Sequence, residues 1–459
     1  TQSRGLGDVY KRQAVHPEYW GQEIGSLLLE ERLNRVGDRL HVGFMEARVS
    51  HPHSLKNGLR YGFAAVGFLP LKLRFGDERE NAAWLVKYFG EALDLRRNHP
   101  RIIPEAYRLA GLALDEVGLE RDFIVDEKAA PYPHGGDYEL QELTATGYSS
   151  LLRIERGRLR NREVFGPLRL HYGFFRLRAE RSNYLIARSE GHIAGGIGFT
   201  LDREENIARI FELICLEDHT VRLLLKELER KCREEYDICY VEIDVNAHSP
   251  RMQRTLLEMG YVPAAYVPPL AFHRVERLDV LKMARLLTPL ERLSMELVPP
   301  VQGLAELILR GFERQQVLPR IGALTEKIRL FEGLTEEQIQ RIGAACGQAT
   351  FSEGDQIFSA ADECNETYIL LEGEVQILMA DGERAVGAVG PGECLGEVSM
   401  LIGTEHSADA VVSSPVRAAV LPKEDLLELV RQRPDIGVVI FRNLARGLGE
   451  KLRRADLGQ

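Results

Sequence analysis

The sequence lacks any apolar run of about 18 residues or more, which is the length that a membrane-spanning helix needs. Its first residues do not show the pattern of a secretory signal peptide. The six cysteines are sparse, and no two of them form a close Cys-x-x-Cys pair. Disulfide frameworks need a higher density, so we expect reduced, mostly buried thiols in a cytoplasmic protein.

The chain also lacks an excess of positive charge, because its formal net charge is −10 and its isoelectric point is about 5.8. A general binder of nucleic acid or of acidic membranes needs a basic face, so neither partner is expected. Metal-ligand patterns are scarce too. His51 and His53 have no further histidine or cysteine at ligand spacing, and two loop histidines are favoured over a metal site.

The remaining composition, with 44% hydrophobic and 28% charged residues, is typical of globular protein. A length of 459 residues predicts about two to four domains, here of mixed α+β and α/β class. Residues 1–13 have no initiator methionine and no helical or strand period, so we expect a non-native or truncated start. The predicted segments that follow are a partial domain at 14–93, a helical linker at 94–134, a domain at 135–284, a helical linker at 285–327 and a domain at 328–459.

Residues 14–36, AVHPEYWGQEIGSLLLEERLNRV, predict a strand end, a tight loop and an amphipathic helix. Leu29, Leu33 and Val36 recur at helical spacing. A helix N-terminus presents backbone N–H groups and the positive end of its dipole, and a glycine-containing loop lets a pyrophosphate approach them. The pattern resembles the acyl-CoA loop of GNAT-type N-acetyltransferases.

The resemblance implies an acyl-CoA site formed by Val15, Gly21, Gln22, Ile24, Gly25 and Ser26. Two positions depart from the family pattern: Trp20 stands where Arg or Gln is usual, and Glu23 replaces the first glycine. A negative charge a few ångström from the pyrophosphate destabilises it by about 1 to 4 kcal/mol at effective dielectric constants of about 80 to 20. We therefore expect acyl-CoA affinity to be weakened roughly tenfold or more.

Residues 46–75 predict the strand, helix and closing strand that follow in this family. In the family a tyrosine four residues before a Gly-Phe pair often protonates the leaving thiolate. That position is Phe63 or Gly58, depending on which of two Gly-Phe pairs is used, and neither residue has a hydroxyl group. Tyr61 lies nearby but off the position, so no general acid is assigned.

A second set of patterns begins with residues 184–202, where two apolar runs flank Ser-Glu-Gly-His and predict a hairpin. A strand at 207–216, a helix at 219–235, a strand at 238–247 and a helix at 250–259 follow. This order is again similar to GNAT domains. The two segments are therefore interpreted as a tandem pair.

The chemistry of this second segment departs from the family. The loop at 216–220 contains no glycine and two carboxylates, of which Asp218 is a predicted helix cap, and Leu256 stands at the usual tyrosine position. Acyl transfer needs an oriented thioester, a backbone N–H at its carbonyl and a base for the amine. Glu46 and Glu242, on predicted central strands, are the candidate bases, with ordinary strand carboxylates as the alternative.

The two connecting segments are predicted to be largely helical. Residues 94–121 show a helical pattern, and residues 129–137 form a loop rich in proline and glycine. Residues 285–327 are predicted to be helices broken at Pro299-Pro300 and at Pro319. These helices either couple the flanking domains or form a packed spacer.

The last segment opens with a capping box, Thr335 to Gln338. Short strand patterns then alternate with glycine-containing turns, at 350–360, 367–379, 384–393 and 408–422. Two helices follow, at 423–431 and 435–454. This order predicts a small β-roll or jelly roll with C-terminal helices.

Residues 392–408, GECLGEVSMLIGTEHSA, resemble the phosphate-binding cassette of the cyclic-nucleotide-binding domain family. The resemblance implies that Gly396 approaches the ribose and that Glu397 accepts its 2′-hydroxyl. The implied phosphate contacts are the N–H groups of Val398, Ser399 and Ala408 and the hydroxyl of Ser407.

His406 stands where the family has an arginine. Arginine offers a permanent charge and a planar fork of donors, whereas histidine is charged only below about pH 6.5 unless perturbed. Loss of one charge-assisted bond costs about 1.5 to 3 kcal/mol, or about 10- to 150-fold in affinity. The alternatives are a weakened sensor of cAMP or cGMP and a structural or protein-binding roll.

These patterns predict an acyl-CoA-dependent N-acyltransferase-related protein, regulated by a small molecule bound in its last domain. Acetyl-CoA or another acyl-CoA is the expected cofactor, without a metal, and a protein or small amine is the expected acceptor. Leu444, Leu448 and Leu452 form an apolar stripe that predicts either a homodimer seam or packing on the roll. The alternative function is a catalytically inactive scaffold or regulatory binding protein.

Overall fold

The chain divides into two compact units, Thr1–Leu309 and Arg310–Gln459. The computed structural model describes residues 17–19, 22–37, 40–76, 78–143, 163–165, 182–273, 275–291, 293–324, 328–379, 385–402 and 404–457. Among these residues, no helix combines the length and the hydropathy that are needed to cross a membrane.

The first unit begins with α1 (Ile24–Val36), β1 (Val42–Arg48), α2 (His53–Arg60), β2 (Ala64–Phe75) and β3 (Glu78–Tyr88). A connecting stretch contains the parallel pair β4 (Arg101–Ile102) and β5 (Ile124–Val125) and, between them, α3 (Tyr107–Val117). Short 3₁₀ turns lie at Pro17–Tyr19 and Pro104–Ala106.

The second half of this unit contributes more strands than helices. Its first strands are β6 (Glu139–Leu143), β7 (Val164–Phe165), β8 (Ser182–Ser189), β9 (His192–Asp202) and β10 (Ile207–Cys215). They are followed by α4 (Thr220–Glu234), β11 (Tyr240–Asn246), α5 (Pro250–Glu258), β12 (Val262–His273) and β13 (Glu276–Leu286). The helix α6 (Pro299–Leu324) contains the boundary between the two units.

Eleven strands of the described residues form one sheet in the order β1-β3-β2-β12-β13-β11-β10-β9-β8-β6, with β7 on β11. Strands β10 and β11 pair in parallel, from Ile207 opposite Tyr240 to Ile210 opposite Ile243. The neighbouring pairs along the rest of this order are antiparallel. Both segments that the sequence separates therefore share a single sheet.

One order of elements, helix, strand, helix and two-strand hairpin, occurs twice around this sheet. We name α1 to β3 repeat one and α4 to β13 repeat two. Corresponding strands begin at Val42 and Tyr240, at Ala64 and Val262, and at Glu78 and Glu276, each pair being 198 residues apart. From the first of these strands to the last, the positions of the two repeats therefore correspond without an insertion.

The hairpins of the two repeats share their irregularities. The register shifts between Ala65 and Gly67 and between Leu69 and Leu73 in repeat one, and at the corresponding Pro263/Ala265 and Val267/Ala271 in repeat two. Within the second irregularity, Arg79 donates to the carbonyl oxygen of Leu71 at 2.7 Å. The corresponding Arg277 donates to that of Pro269 at 2.8 Å. Each repeat thus has the same arginine-to-carbonyl hydrogen bond across its bulge.

The repeats meet about a local twofold axis. Strands β2 and β12 pair through Gly67 and Ala265, which are corresponding residues. A Cβ atom added to Gly67 would lie 2.2 Å from the Cβ of Ala265, so this approach requires a glycine. A second corresponding pair is in contact as well, since the Lys282 ammonium lies 4.6 Å from the Trp84 ring centroid. Contacts between equivalent residues are what a twofold interface produces.

Several predicted elements of this unit are confirmed. The hairpin predicted at 184–202 is β8–β9, and the helices predicted at 219–235 and 250–259 are α4 and α5. Gly260 follows α5 with φ at +89°, as a C-terminal glycine does. The strand end predicted at 14–16 lies outside the described residues.

Three predictions for the connecting segments need correction. The helix predicted before Pro299 is wrong for the described residues 287–291 and 293–298, which are not helical. Of residues 94–121, only Tyr107–Val117 is α-helical. The break at Pro319 is wrong, because α6 runs from Pro299 to Leu324 without interruption. Proline suits the first turn of a helix, where its missing N–H has no partner, and the single bond lost at Pro319 does not end this helix.

The second unit contains a six-stranded sheet of β14 (Gly347–Phe351), β15 (Gln356–Phe358), β16 (Glu366–Leu378), β17 (Ala385–Val389), β18 (Cys394–Leu395) and β19 (Asp409–Pro422). Its order is β14-β19-β16-β17, with β15 on β19 and β18 on β16. Its helices are α7 (Glu336–Ala345), α8 (Glu397–Ile402), α9 (Lys423–Gln432) and α10 (Pro434–Leu457). The predicted roll with C-terminal helices is confirmed.

The capping box at the start of α7 is also confirmed. The Gln338 N–H donates to the Thr335 hydroxyl at 3.3 Å, and the Thr335 N–H donates to the Gln338 side chain at 2.8 Å. One hydrophobic cluster lies within the roll, and a second, which contains Phe331, Ile440 and Leu444, packs the helices against it. Leu444 therefore packs on the roll, and the side chains of Leu448 and Leu452 lie outside the described residues.

Candidate functional site

A tight backbone turn at Gly396 organises the predicted cassette between β18 and α8. Gly396 has φ at +78°, and a Cβ there would lie 2.9 Å from the carbonyl oxygen of Glu366 and 3.2 Å from Cε1 of His406. The Cys364 thiol donates to the Gly396 carbonyl oxygen at 3.2 Å. Glycine is required here for both its conformation and its lack of a side chain.

Helix α8 starts directly after this glycine. Its first backbone bond runs from the Met400 N–H to the Gly396 carbonyl oxygen at 3.1 Å. The N–H groups of Val398 and Ser399 belong to the first turn, where a helix supplies no acceptor of its own. Glu397 is half-buried and the Ser399 side chain is buried. One turn of chain thus combines a carboxylate with backbone donors.

His406 is held in place by a ring stack and by its own backbone. It is 8% exposed, and its ring lies on that of Phe358, with centroids 3.7 Å apart and an interplanar angle of 8°. Its N–H donates to the Asp362 carbonyl at 3.0 Å, and its carbonyl accepts the Ala361 N–H at 2.9 Å. Burial lowers the pKa of His406, and the charge of Asp362 opposes that shift only in part. The imidazole is therefore mostly neutral at neutral pH.

Ser407 and Ala408 complete the predicted cassette immediately before β19. Ser407 is exposed and Ala408 is half-buried. The next residue, Asp409, accepts the Ala360 N–H at 2.7 Å and so ties this segment to the loop that contacts His406. The structure places Gly396 against His406, which brings the two parts of the predicted site together.

The predicted acyl-CoA residues are only partly described. Val15 and Gly21 lie outside the described residues, as does Trp20. Gln22 and Gly25 are exposed at the start of α1, Ile24 is half-buried and Ser26 is buried. Among the described residues, a Cβ added to Gly25 would meet no atom within 4 Å, so these residues leave the first turn of α1 open on that side.

Glu23 lies at the N-terminal end of α1 in a left-handed conformation, with φ at +53°. Its carbonyl oxygen accepts the N–H groups of Ser26 at 2.9 Å and Leu27 at 3.1 Å. Its exposed carboxylate lies 3.9 Å from the Arg60 guanidinium. The negative charge that the sequence places at this helix end is thus partly countered by Arg60.

The residues considered for a general acid lie on α2 and just beyond its end. Phe63 is buried, and the hydroxyl of the half-buried Tyr61 donates to Glu30 at 3.3 Å. The Lys87 ammonium donates to the Tyr61 carbonyl oxygen at 2.5 Å. Tyr61, Glu30 and Lys87 border an open groove of about 440 Å³ beside α1.

The two candidate bases converge on one buried cation. The Lys72 ammonium lies 2.8 Å from Glu46 and 2.6 Å from Glu242, and Lys72 is fully buried. Glu242 also contacts Arg209 at 2.5 Å and Lys282 at 3.8 Å. We name Glu46, Lys72, Arg209, Glu242 and Lys282 the Lys72 cluster.

The charges of this cluster decide how well Glu242 could serve as a general base. Although burial raises the pKa of Glu242, the nearby Lys282, Lys72 and Arg209 outweigh it and hold that pKa well below the ordinary value. A general base works best with a pKa near the operating pH, so Glu242 is poorly suited to that task. Glu46 is 24% exposed and stays a candidate.

Sequence patterns missed several residues of both sites. Lys72 is separated from Glu242 by 170 residues, and no local pattern marks that contact. Phe358 and Asp362 flank His406 in space but not in the chain. One sequence signal marks the repeat: a proline with a Glu-Arg pair eight residues later. It occurs at Pro70 with 78–79 and again at Pro268 with 276–277.

Among the residues that the structure describes, no group of three or more His, Cys, Asp or Glu side chains could hold a metal ion. The six cysteines are free thiols, of which Cys232, Cys346 and Cys364 are buried. Burial raises the pKa of the Cys346 thiol to about 12, which keeps it protonated at neutral pH.

Comparison with protein families identifies the cassette region. Residues 348–433 match the family model of the cyclic nucleotide-binding domain. They contain both parts of the cassette described above, from Gly396 to Ser399 and from His406 to Ala408.

Two curated proteins show the contexts in which similar sequence occurs. The "Cyclic AMP receptor protein" of Thermus thermophilus is 33% identical over 131 residues, which are 28% of this chain and 59% of that protein. "Glutaminase 1" of Bradyrhizobium diazoefficiens is 30% identical over 123 residues, which are 27% of this chain and 20% of that protein. The chain thus spans about three fifths and one fifth of the lengths of these relatives.

Solved structures give matches of the same extent. The Thermus thermophilus catabolite activator protein is 32% identical, with a TM-score of 0.26, and the match covers 28% of this chain and 61% of that one. A cyclic nucleotide-binding domain from Methylobacillus flagellatus is 25% identical, with a TM-score of 0.28, over 30% of this chain and 80% of that one. From the family match and the sequence relatives we conclude that the C-terminal part of the chain contains a cyclic nucleotide-binding domain.

Proposed function

We propose that the second unit binds a cyclic nucleotide between its two cassette segments, 396–399 and 406–408, and regulates the rest of the chain. The observation that carries this proposal is the Gly396 turn. It has a left-handed backbone and lies beside the His406 ring, so it places a carboxylate and first-turn N–H groups next to the second segment. A carboxylate suits a ribose hydroxyl, and N–H groups suit a phosphate.

The proposed ligands are cAMP and cGMP, of which cAMP is the first to test. The name of the Thermus relative, which is similar over the matched region, favours cAMP. In this pose the half-buried Glu397 accepts the ribose 2′-hydroxyl. Val398, Ser399 and Ala408 donate N–H groups to the cyclic phosphate, and Ser407 donates its hydroxyl.

The test is calorimetric titration of the full chain with cAMP and cGMP, with 5′-AMP as a comparison ligand. Glu397→Ala removes the ribose acceptor and is expected to weaken binding about tenfold or more. Glu353→Gln, in an exposed turn, is the matched control and is expected to leave affinity unchanged. Absence of binding by either cyclic nucleotide, or equal binding by Glu397→Ala, would overturn the proposal.

A second candidate function, acyl-CoA-dependent N-acyltransfer, belongs to the first unit. It is favoured by the repeated order of helix, strand, helix and hairpin, which resembles GNAT domains, and by the open first turn of α1 at Gly25. In this candidate the first-turn N–H groups hold the pyrophosphate of acetyl-CoA. Glu46 is the remaining candidate base for a protein or small amine acceptor.

Glu23 allows a gain-of-binding test of this candidate. Glu23→Gly removes a negative charge from the helix end and a side chain from a left-handed residue, whereas Glu23→Gln removes the charge alone. Both variants are expected to bind acetyl-CoA roughly tenfold more tightly, seen as a larger rise in melting temperature at a fixed ligand concentration. If acetyl-CoA shifts none of the three proteins, the acyltransferase candidate fails.

The inactive scaffold remains the alternative that these experiments separate. A protein that responds to neither cyclic nucleotides nor acetyl-CoA would be a scaffold or binding protein that keeps these folds without their chemistry. A response to cyclic nucleotides alone would identify a regulatory binding protein.

A further inference from the structure

His406 provides the cassette with a titratable side chain at the position where the family has a permanent charge. Its ring is fixed by the stack on Phe358 and by two backbone bonds to the loop at 361–362. Its Cε1 atom faces Gly396, so the ring edge lies at the turn that starts α8. The side chain is therefore held at the site itself and not at its periphery.

The ionisable neighbours of His406 are few among the described residues. Asp362 lies on the loop that is hydrogen-bonded to the His406 backbone. Its charge acts on the imidazole of His406. Cys364, on the same loop, lies with His406 around Gly396, and burial raises the pKa of its thiol, so the thiol is neutral. From α8 the first carboxylate is that of Glu397, the proposed ribose acceptor. Among the described residues, no cation contributes to the pKa shift of His406.

We propose that nucleotide binding at this cassette takes up a proton at His406, so that the affinity for a cyclic nucleotide rises as the pH falls. The proposal rests on the function proposed above, and it names His406 as the residue that sets the conditions of binding. A cyclic phosphodiester carries one negative charge throughout the relevant range. The imidazole is therefore the partner whose charge changes.

The sign follows from linkage between protonation and binding. In the free protein burial keeps the pKa of His406 below its ordinary 6.5, so the ring is neutral at neutral pH. A bound phosphate favours the imidazolium and raises that pKa. Affinity is then highest below the free-protein pKa and falls with rising pH until the bound-state pKa is passed. A charge-assisted bond predicts a decrease of about tenfold or more across that window.

The experiment titrates the full chain with cAMP at pH 5.5, 6.5, 7.5 and 8.5, in pairs of buffers with different ionisation enthalpies. The wild-type protein is expected to bind about tenfold more tightly at the lowest pH than at the highest and to take up a proton on binding. His406→Arg is expected to bind tightly at every pH, and His406→Gln weakly at every pH, both without proton uptake.

Asp362→Asn provides a test that does not alter His406 itself. The Asp362 charge raises the pKa of His406, so its loss is expected to move the midpoint of the affinity profile to lower pH. The backbone carbonyl that accepts the His406 N–H is retained. The imidazole proton resonances of His406, followed by NMR with and without cAMP, report the same two pKa values directly.

The outcomes separate this inference from the function on which it rests. If wild type and His406→Gln bind cAMP with the same affinity at every pH, the proton-linkage inference is overturned and the nucleotide-binding proposal stands. If neither wild type nor His406→Arg binds cAMP or cGMP at any pH, the nucleotide-binding proposal fails, and the inference fails with it.

Discussion

The two repeats carry different chemistry at corresponding positions of the same backbone. In repeat one Phe44 and Trp84 stack with centroids 5.1 Å apart and an interplanar angle of 10°. In repeat two the corresponding residues, Glu242 and Lys282, form an ion pair at 3.8 Å. The bulge bonds of Arg79 and Arg277 are nevertheless the same. Backbone contacts therefore preserve the repeat, while the side chains are free to diverge.

The surroundings of Phe44 and Glu242 explain why these corresponding positions can hold such different side chains. In repeat two β10 lies beside β11 and supplies Arg209, so Glu242 is 4% exposed and contacts three cations. In repeat one β1 is an edge strand of the described sheet, and Phe44 is 53% exposed. A buried carboxylate requires partners, whereas a half-exposed aromatic ring needs only a neighbouring ring.

The largest expected effect comes from removing the charge of Glu242. After Glu242→Gln, Lys72 keeps Glu46 at 2.8 Å and Lys282 keeps Asp244 at 2.7 Å, so one buried positive charge of the group is left without a counter-charge. This is expected to lower the free energy of unfolding by about 3 to 5 kcal/mol. The matched variant in repeat one, Phe44→Leu, loses an exposed stack worth about 0.5 to 1.5 kcal/mol. Urea denaturation measures both. Equal losses would show that the two positions are not distinguished by burial.

The second prediction concerns the loss of stability at acidic pH. The pKa of Glu242 is well below 4.5 in the folded protein and ordinary in the unfolded chain, so its stabilisation is complete above the unfolded pKa and is lost as pH falls toward the folded pKa. Between about pH 5 and pH 3, the urea midpoint of wild type should therefore fall more steeply than that of Glu242→Gln. Parallel profiles would contradict the assigned cause.

The local axis predicts a compensating pair. Gly67→Ala places a methyl group against Ala265 and is expected to destabilise the first unit by about 1 to 3 kcal/mol. Ala265→Gly alone is expected to cost about 0.5 to 1 kcal/mol through chain entropy. Ala265→Gly removes the Ala265 Cβ, but the Ala264 carbonyl oxygen at 2.5 Å and the Ala265 Cα at 2.6 Å from the added Cβ remain. The loss in the double variant should therefore be smaller than the sum but larger than that of Ala265→Gly alone. Additive losses would mean that the two residues are not coupled.

Effects smaller than that of Glu242→Gln are expected at the C-terminal glycines of α2 and α5. Gly62 and Gly260 have φ at +78° and +89°, so Gly62→Ala and Gly260→Ala should each cost about 1 to 2 kcal/mol. The nearest atoms to an added Cβ belong to Lys87 at 2.8 Å and Arg285 at 3.4 Å, both ends of flexible side chains. Thermal unfolding should show similar losses. A markedly larger loss of stability at one glycine would show that the two sites differ in a way that their shared backbone conformation does not explain.

Local structure was largely predictable because its causes lie within a few residues. The capping box of Thr335 and Gln338 and the hairpin turn before His192 depend on neighbours in the chain. The cassette was predicted from its resemblance to the cyclic-nucleotide-binding domain family, whose motif occupies one short stretch, residues 392–408. The error at Pro319 arose because a single missing N–H is a weak signal inside a long helix.

The charge partners were not predictable in this way. Glu46 and Glu242 were singled out from strand positions alone, and nothing near either of them in the chain indicated Lys72. The cation is brought to both carboxylates where β2 leaves its regular register between Leu69 and Leu73. Three-dimensional packing, and not local pattern, therefore decides that Glu242 is a paired carboxylate.

The sequence by itself determined most of the order of helices and strands and the glycines at sharp turns. Each of these follows from backbone preferences and hydrophobic periods over a short stretch of chain. Only the tertiary structure decided that two distant segments share one sheet about a local axis, and that His406 lies against Phe358. Those features depend on contacts between residues far apart in the chain, which no local preference specifies.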